Sequence, residues 1–331
     1  MPVLVSDFRP PMVYRNNHIQ TTFPTLFRQV KGVEYRRERM TLPDRDFIDL
    51  DWSYAMAGRV SQTLAVICHG LEGCADRAYM LGMVQACNRR GLDAVAYNYR
   101  GCSGEMNREK RFYNAGATDD LGAVIDRIRS TCSYDSIFLI GFSLGANLVL
   151  KYTGEQGRDI PSAVQGAVAV SAPCDLSSSS MELHRVKNRL YHYRFLKLLL
   201  EKIQEKSTGY PELLRTDLRA IRTLKDFDDN FTAPLGGFRD AHDYWTSCSC
   251  RQFLSGICIP ALILNAADDP ILGPDCYPYP EAEFNPHLYL EVPRWGGHVG
   301  FMERAGQPEY WHEQRTLEFI LGTQKKSGHY Y

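Results

Sequence analysis

Ser136-Ile137-Phe138-Leu139-Ile140-Gly141-Phe142-Ser143-Leu144-Gly145-Ala146-Asn147-Leu148-Val149-Leu150 is the stretch that decides how this chain folds. A short apolar run, too short for a helix, leads into Gly-x-Ser-x-Gly, and a helix-forming run follows. That is the strand–turn–helix context a nucleophile elbow requires. The turn predicts a strained backbone at Ser143, with Gly141 and Gly145 lacking the side chains that would keep strand and helix apart. The hydroxyl would then stand above the carboxyl end of a sheet. The amide of Leu144, at the helix N-terminus, would point into the same space.

Outward from this stretch the pattern alternates. Residues 33–40 and 46–52 read as two strands joined by a turn through Pro43-Asp44. Leu64-Ala65-Val66-Ile67-Cys68 is a continuous apolar run, as suits a buried parallel strand, and it ends in His69-Gly70-Leu71-Glu72-Gly73. A helix over 77–89, a strand over 94–98 and a helix over 117–130 precede the elbow. A strand over 166–170 follows it. Alternating strands and helices predict an α/β fold: a mostly parallel sheet with helices on both faces and its site at the carboxyl ends of the strands.

The alternation stops at Pro173 and resumes at Ala261-Leu262-Ile263-Leu264-Asn265, about 85 residues later. A structureless loop of that length does not fit a compact domain. Leu183, Val186, Leu190, Tyr193, Leu196, Leu200 and Ile203 recur there at helical spacing, predicting an inserted helical cap. A strand over 288–292, a glycine-rich loop ending in His298 and a helix near 310–321 complete the chain. The expected organisation is an irregular, proline-bearing arm over 1–32, a core over 33–173, a cap over 174–258 and the rest of the core over 259–331.

The 331 residues are 44% hydrophobic and 23% charged, ample for a core and ordinary for a water-soluble chain. A formal net charge of −1 gives no reason to expect nucleic acid as a partner. The ten cysteines include no Cys-x-x-Cys pair, which argues against a zinc or redox motif and for free thiols. The start, Met1-Pro2-Val3-Leu4-Val5-Ser6-Asp7, lacks the basic and apolar regions of a signal peptide, and no apolar run could span a bilayer. A cytoplasmic enzyme is the expectation.

A serine hydroxyl needs a base within hydrogen-bond reach, and the base needs a third group to fix its tautomer. On this scaffold the order is Ser, then Asp or Glu, then His, each after a strand. Among nine histidines, His298 alone follows a late core strand, with Gly296-Gly297 before it. His312 falls on the terminal helix and His184 and His192 on the cap, while His18 and His69 suit structural roles. Asp268 and Asp269 are adjacent candidates for the acid. Asp269-Pro270-Ile271-Leu272 resembles the frequent Asp-x-x-Val ending of this loop and favours Asp269, leaving Asp268 to cap or brace the turn. The oxyanion hole needs two amides, expected from Leu71 and Leu144. No cofactor or metal is implied.

The sequence resembles the YheT-like branch of the α/β-hydrolase superfamily, which includes bacterial YheT and the related animal ABHD lipases. The likeness rests on Asn17-His18-Ile19-Gln20-Thr21, Leu50-Asp51-Trp52, His69–Gly73, Asn98-Tyr99-Arg100-Gly101-Cys102-Ser103-Gly104, Gly141–Asn147, Ala267-Asp268-Asp269-Pro270 and Trp295-Gly296-Gly297-His298-Val299-Gly300-Phe301. The resemblance implies a Ser–Asp–His triad and hydrolysis of carboxylic esters, with acylglycerols or other lipid esters as substrates. Several animal relatives carry an N-terminal membrane anchor and a His-x4-Asp acyltransferase motif, and neither is found here. Alternatives are a thioesterase or acyltransferase on the same triad, or a ligand-binding homologue without turnover.

The cap carries one further pattern. From Met181 to Lys206 there are seven Lys or Arg (185, 187, 189, 194, 197, 202, 206) against three Glu, a formal balance of +4 beside the apolar stripe. Such a helix can lie on an anionic membrane, giving a weak peripheral contact. The alternative is that the stripe packs on the sheet and the basic side chains are solvated.

Overall fold

A computed structural model describes residues 3–56 and 61–327. Nine strands form one sheet among them: β1 (Val3–Leu4), β2 (Arg36–Thr41), β3 (Phe47–Ser53), β4 (Thr63–Cys68), β5 (Asp93–Asn98), β6 (Ser136–Phe142), β7 (Val164–Val170), β8 (Ala261–Leu264) and β9 (Leu288–Glu291). The order is β1-β9-β8-β7-β6-β4-β5-β3-β2. Every neighbouring pair from β1 to β5 in this order is parallel, and at one edge β3 runs antiparallel to both of its neighbours, β5 and β2. The loops leaving β4, β6, β8 and β9 therefore emerge on one edge, where a site can be assembled from distant parts of the chain.

Helices α1 (Asn17–Phe27), α2 (Ala78–Arg89), α3 (Thr118–Thr131) and α4 (Leu144–Gln156) surround this sheet. Strand residues alternate between two cores, because successive side chains point to opposite faces. Leu64, Val66 and Cys68 join Leu121, Val124 and Ile125 of α3 and Leu148 and Val149 of α4. Ala65 and Ile67 join Met80, Met83 and Val84 of α2 and Leu317 and Ile320 of the terminal helix, Trp311–Ser327. Burying one such aliphatic side chain is worth about 1.5–3 kcal/mol. The elbow strand is therefore fixed from both sides.

Between β7 and β8 the chain is helical, beginning with α5 (Leu176–His184) and α6 (Arg189–Lys206). The apolar stripe read from the sequence divides here. Leu183, Leu196 and Ile203 are buried, while Val186, Leu190 and Tyr193 are exposed. The basic residues divide too, so the expectation of a uniformly solvated basic face is corrected. Lys206 is buried and donates to the Asn107 carbonyl at 2.7 Å and to its Oδ1 at 2.9 Å. Lys202 also turns inward.

The expectation of an irregular segment over residues 1–32 is corrected as well. Val3–Leu4 adds a strand beside β9, and Asn17–Phe27 is a helix. Asn16 caps α1 by accepting the Ile19 N–H at 3.1 Å. Gln20 locks it down: its Nε2 donates to the carbonyls of Tyr14 and Met302, each at 2.8 Å, and its Oε1 accepts the Met302 N–H at 2.7 Å. No helix among the described residues is long and apolar enough to cross a membrane.

Candidate active site

Strand β6 delivers Ser143 into a backbone conformation with φ +53° and ψ −120°. A β-carbon on Gly141 would run into the Gly145 carbonyl, and one on Gly145 into the carbonyls of Cys68 and His69. Both positions must be glycine for α4 to leave the strand this sharply. The Ser143 amide is held by the Val170 carbonyl at 2.9 Å, and its carbonyl accepts from Ala146 and Asn147.

Three loops bring the polar side chains together. His298 Nε2 lies 2.9 Å from Ser143 Oγ, and His298 Nδ1 lies 2.8 Å from Asp269 Oδ2. The Asp269 side chain is sealed from solvent, and its Oδ1 accepts the amides of Ile271 at 2.8 Å and Leu272 at 3.3 Å. With Asp269 fixing Nδ1 as the donor, Nε2 faces the serine as an acceptor. Asp268 is close by but does not touch His298. Its Oδ1 accepts the Gly297 amide at 2.9 Å.

The loop after β4 is held on all sides. The Gly70 amide donates to Tyr79 Oη at 3.0 Å, that of Glu72 to Tyr113 Oη at 2.9 Å, and that of Gly73 to the Gly70 carbonyl at 3.0 Å. The amides of Leu71 and Leu144 have no acceptor in the chain among the described residues, and both residues line the cavity that contains Ser143. Two free amides beside a serine hydroxyl are able to donate hydrogen bonds to a negatively charged oxygen. His69 packs behind this loop. Burial lowers its pKa to about 3, and its Nδ1 donates to the Gly70 carbonyl at 2.7 Å while Nε2 accepts the Tyr99 amide at 3.3 Å.

The first helix supplies parts to which no role was given from sequence. Thr21 Oγ1 accepts the His298 amide at 2.9 Å, and Asn17 Nδ2 donates to the Asp268 carbonyl at 2.9 Å. Gly297, at φ +56°, lies so close to α1 that a β-carbon would meet the Asn17 carbonyl at 2.6 Å. The cluster Asn17–Thr21 thus sets the height of the histidine loop. His18 Nδ1 is 2.9 Å from Tyr191 Oη of α6, His312 is buried on the terminal helix, and His184 and His192 pack on each other. None of the four reaches Ser143.

Two cavities meet at the serine. One, of about 140 Å³, is walled by apolar side chains including Leu144, Leu183, Phe227, Phe231 and Trp245. The other, of about 600 Å³, is a cleft between α1 and α6 bordered by Pro24, Leu26, Tyr191, Phe195 and His298.

The description "alpha/beta hydrolase fold" attaches to the family model that matches residues 65–305. This chain belongs to that family. Its YheT-like branch is supported by YheT of Escherichia coli (strain K12), provisionally named an esterase. That protein is 36% identical over 320 residues, covering 95% of this chain and 93% of the relative. The phospholipase ABHD3 of Mus musculus is 27% identical, covering 99% of this chain and 81% of the relative. Among solved structures, the Pyrococcus furiosus esterase Pf2001 superposes with a TM-score of 0.59 at 18% identity, over 88% of this chain and 91% of that one, a likeness of fold. The names of these relatives, an esterase and a phospholipase, are those of ester-cleaving α/β hydrolases.

Proposed function

We propose that this α/β hydrolase cleaves carboxylic esters through an acyl-enzyme, with Ser143 as nucleophile, His298 as base and Asp269 as the group that orients it. The continuous chain of hydrogen bonds from Ser143 Oγ through the imidazole to Asp269 Oδ2 carries this reading. Ser143 Oγ attacks the ester carbonyl as His298 Nε2 accepts its proton. The amides of Leu71 and Leu144 take up the charge on the carbonyl oxygen. His298 then gives the proton to the departing alcohol, and water repeats the cycle to release the acid.

The two cavities divide the substrate. The narrow apolar one suits the acyl chain, and the wide cleft suits the alcohol. A dry cavity of about 150 Å³ holds a benzene molecule, so the space beside Ser143 fits an acyl chain of about six carbons. Lipid esters with a larger alcohol portion fit the cleft, and the phospholipase name of the mouse relative supports that class.

A fluorophosphonate probe, which phosphonylates an activated serine, tests the reading together with hydrolysis of p-nitrophenyl esters. Ser143→Ala is expected to abolish labelling and lower turnover by about 10⁴- to 10⁶-fold. Labelling that persists in this variant would move the nucleophile elsewhere.

A further inference from the structure

We infer that Lys202 is a positioning residue for ester cleavage: it reaches from α6 to Glu72 and holds the loop that carries the Leu71 amide. The inference rests on the reading of Ser143 as nucleophile, and goes beyond it by giving a residue of the helical insertion a part in charge stabilisation.

Lys202 Nζ lies 3.0 Å from Glu72 Oε1 and 3.0 Å from Cys102 Sγ, and sits 4.9 Å above the Tyr113 ring centroid. The side chains of Lys202 and Glu72 are 10% and 9% exposed. This is a largely buried ion pair bordering the Ser143 cavity rather than a surface contact. It joins α6 to the loops that follow β4 and β5. Glu72 is pinned further. The Tyr113 hydroxyl donates to Glu72 Oε1 at 2.6 Å and accepts its backbone amide, and Arg77 Nη2 donates to its carbonyl at 3.1 Å.

Glu72 needs these partners, because it has φ +51° without being glycine. A conformation of that kind persists only where its surroundings over-determine it. Leu71 is the preceding residue, so any relaxation at Glu72 turns the Leu71 amide. Removing Lys202 leaves a buried carboxylate without its cation, and the loop is then driven to move toward water. A displacement near 1 Å costs about 100-fold in rate when it falls on a group aimed at the transition state. Tyr79, His69 and Tyr113 hold the loop from the core. Lys202 holds it from the insertion, so the charge-stabilising amide is set correctly only when α6 is seated.

The experiment compares Lys202→Met and Lys202→Arg with the parent on p-nitrophenyl butyrate, with active sites counted by titration. For Lys202→Met, kcat is expected to fall about 10- to 100-fold while KM stays within about threefold. The inhibition constant of a trifluoromethyl ketone, which forms an oxyanion on the serine, should weaken by the same factor as kcat/KM. Lys202→Arg should restore most of both. A lower melting temperature with unchanged kcat per titrated site would make the pair a structural tie only and overturn the inference. If Lys202→Met does not fold, Lys202→Gln, which keeps a hydrogen-bond donor, reads the same quantities and should show an intermediate loss. An inactive Ser143→Ala beside a fully active Lys202→Met removes this inference alone. An active Ser143→Ala removes the reading beneath it.

Discussion

The Asp268 carboxylate accepts the Gly297 amide at 2.9 Å, one residue before His298, whereas Asp269 reaches the imidazole itself at 2.8 Å. The adjacent aspartates therefore face different partners. Asp268 Oδ2 is buried with no hydrogen-bond partner among the described residues. Burial, then the neighbouring charge of Asp269, raises the Asp268 carboxyl to about 6 from an ordinary 3.8.

Replacement of each by asparagine separates their roles. Asp269→Asn is expected to lower kcat about 10³- to 10⁴-fold by leaving the imidazole in the wrong tautomer. Asp268→Asn keeps an oxygen for Gly297 and should stay within about tenfold of the parent. Its effect is on stability. Between the ordinary and raised values the folded chain binds more protons than the unfolded chain, so this group's contribution to stability falls as pH rises through that window. The melting temperature of Asp268→Asn relative to the parent should therefore climb from pH 4 to pH 6.5. A flat difference would mean that Asp268 is not carrying this burden.

The sheet and the polar trio were legible because they depend on backbone periodicity and on loops placed by it. Gly141, Ser143 and Gly145 each have a steric reason to be where they are, and His298 stands out by its position after the last strand. Helix α1 was not legible. Its buried face consists of Gln20 and Pro24, a polar residue and a helix breaker, so no apolar stripe announces it. What orders it is contact with Met302 and Gly297, about 280 residues away in the chain. The inward turn of Lys202 was hidden for a similar reason. A lysine on an amphipathic helix reads as solvated until its partner, Glu72, is brought to it by the sheet.

Phe231, only 2% exposed, helps close the cavity beside Ser143, so under the proposed division of the substrate it limits the length of the acyl chain. Hydrolysis of p-nitrophenyl esters from acetate to laurate should peak near four to eight carbons, following the space of about 140 Å³. Phe231→Ala should move that optimum up by several carbons, at a cost of about 3–5 kcal/mol in stability for the lost packing. An unmoved optimum, in protein shown to be folded, would place the acyl chain in the wide cleft instead.

All ten cysteines are free thiols. Desolvation pushes Cys87, Cys102, Cys248 and Cys276 each up to about 12, which suppresses the reactive thiolate. Cys74, Cys132 and Cys258 are only partly buried. Titration of the native protein should therefore show about three fast-reacting thiols, and the denatured protein ten before any reductant is added. A denatured count of eight or fewer would reveal disulfides.

The outer half of the helical insertion leads to the last prediction. Val186, Leu190 and Tyr193 are 81%, 77% and 67% exposed, an unusual concentration of apolar surface on one short segment. Arg189 and Arg194 beside them are exposed and have no carboxylate partner among the described residues, whereas Arg185 and Lys187 are both tied to Glu182. Across the wide cleft, Leu26 and Phe27 of α1 are exposed as well. Exposed apolar side chains and two cations without a carboxylate partner, on the helix that walls a cleft reaching Ser143, suit contact with an anionic lipid surface. The protein should co-sediment with phosphatidylglycerol vesicles at low salt, with little binding to phosphatidylcholine, and high salt should release it. Each basic side chain near such a surface is worth about 1 kcal/mol. The pair Arg189→Gln and Arg194→Gln should thus weaken binding about 30-fold while hydrolysis of a soluble butyrate ester is unchanged. Equal binding to both vesicle types, or none to either, would leave the helix as a cover over the cleft and bring the ester to Ser143 from solution.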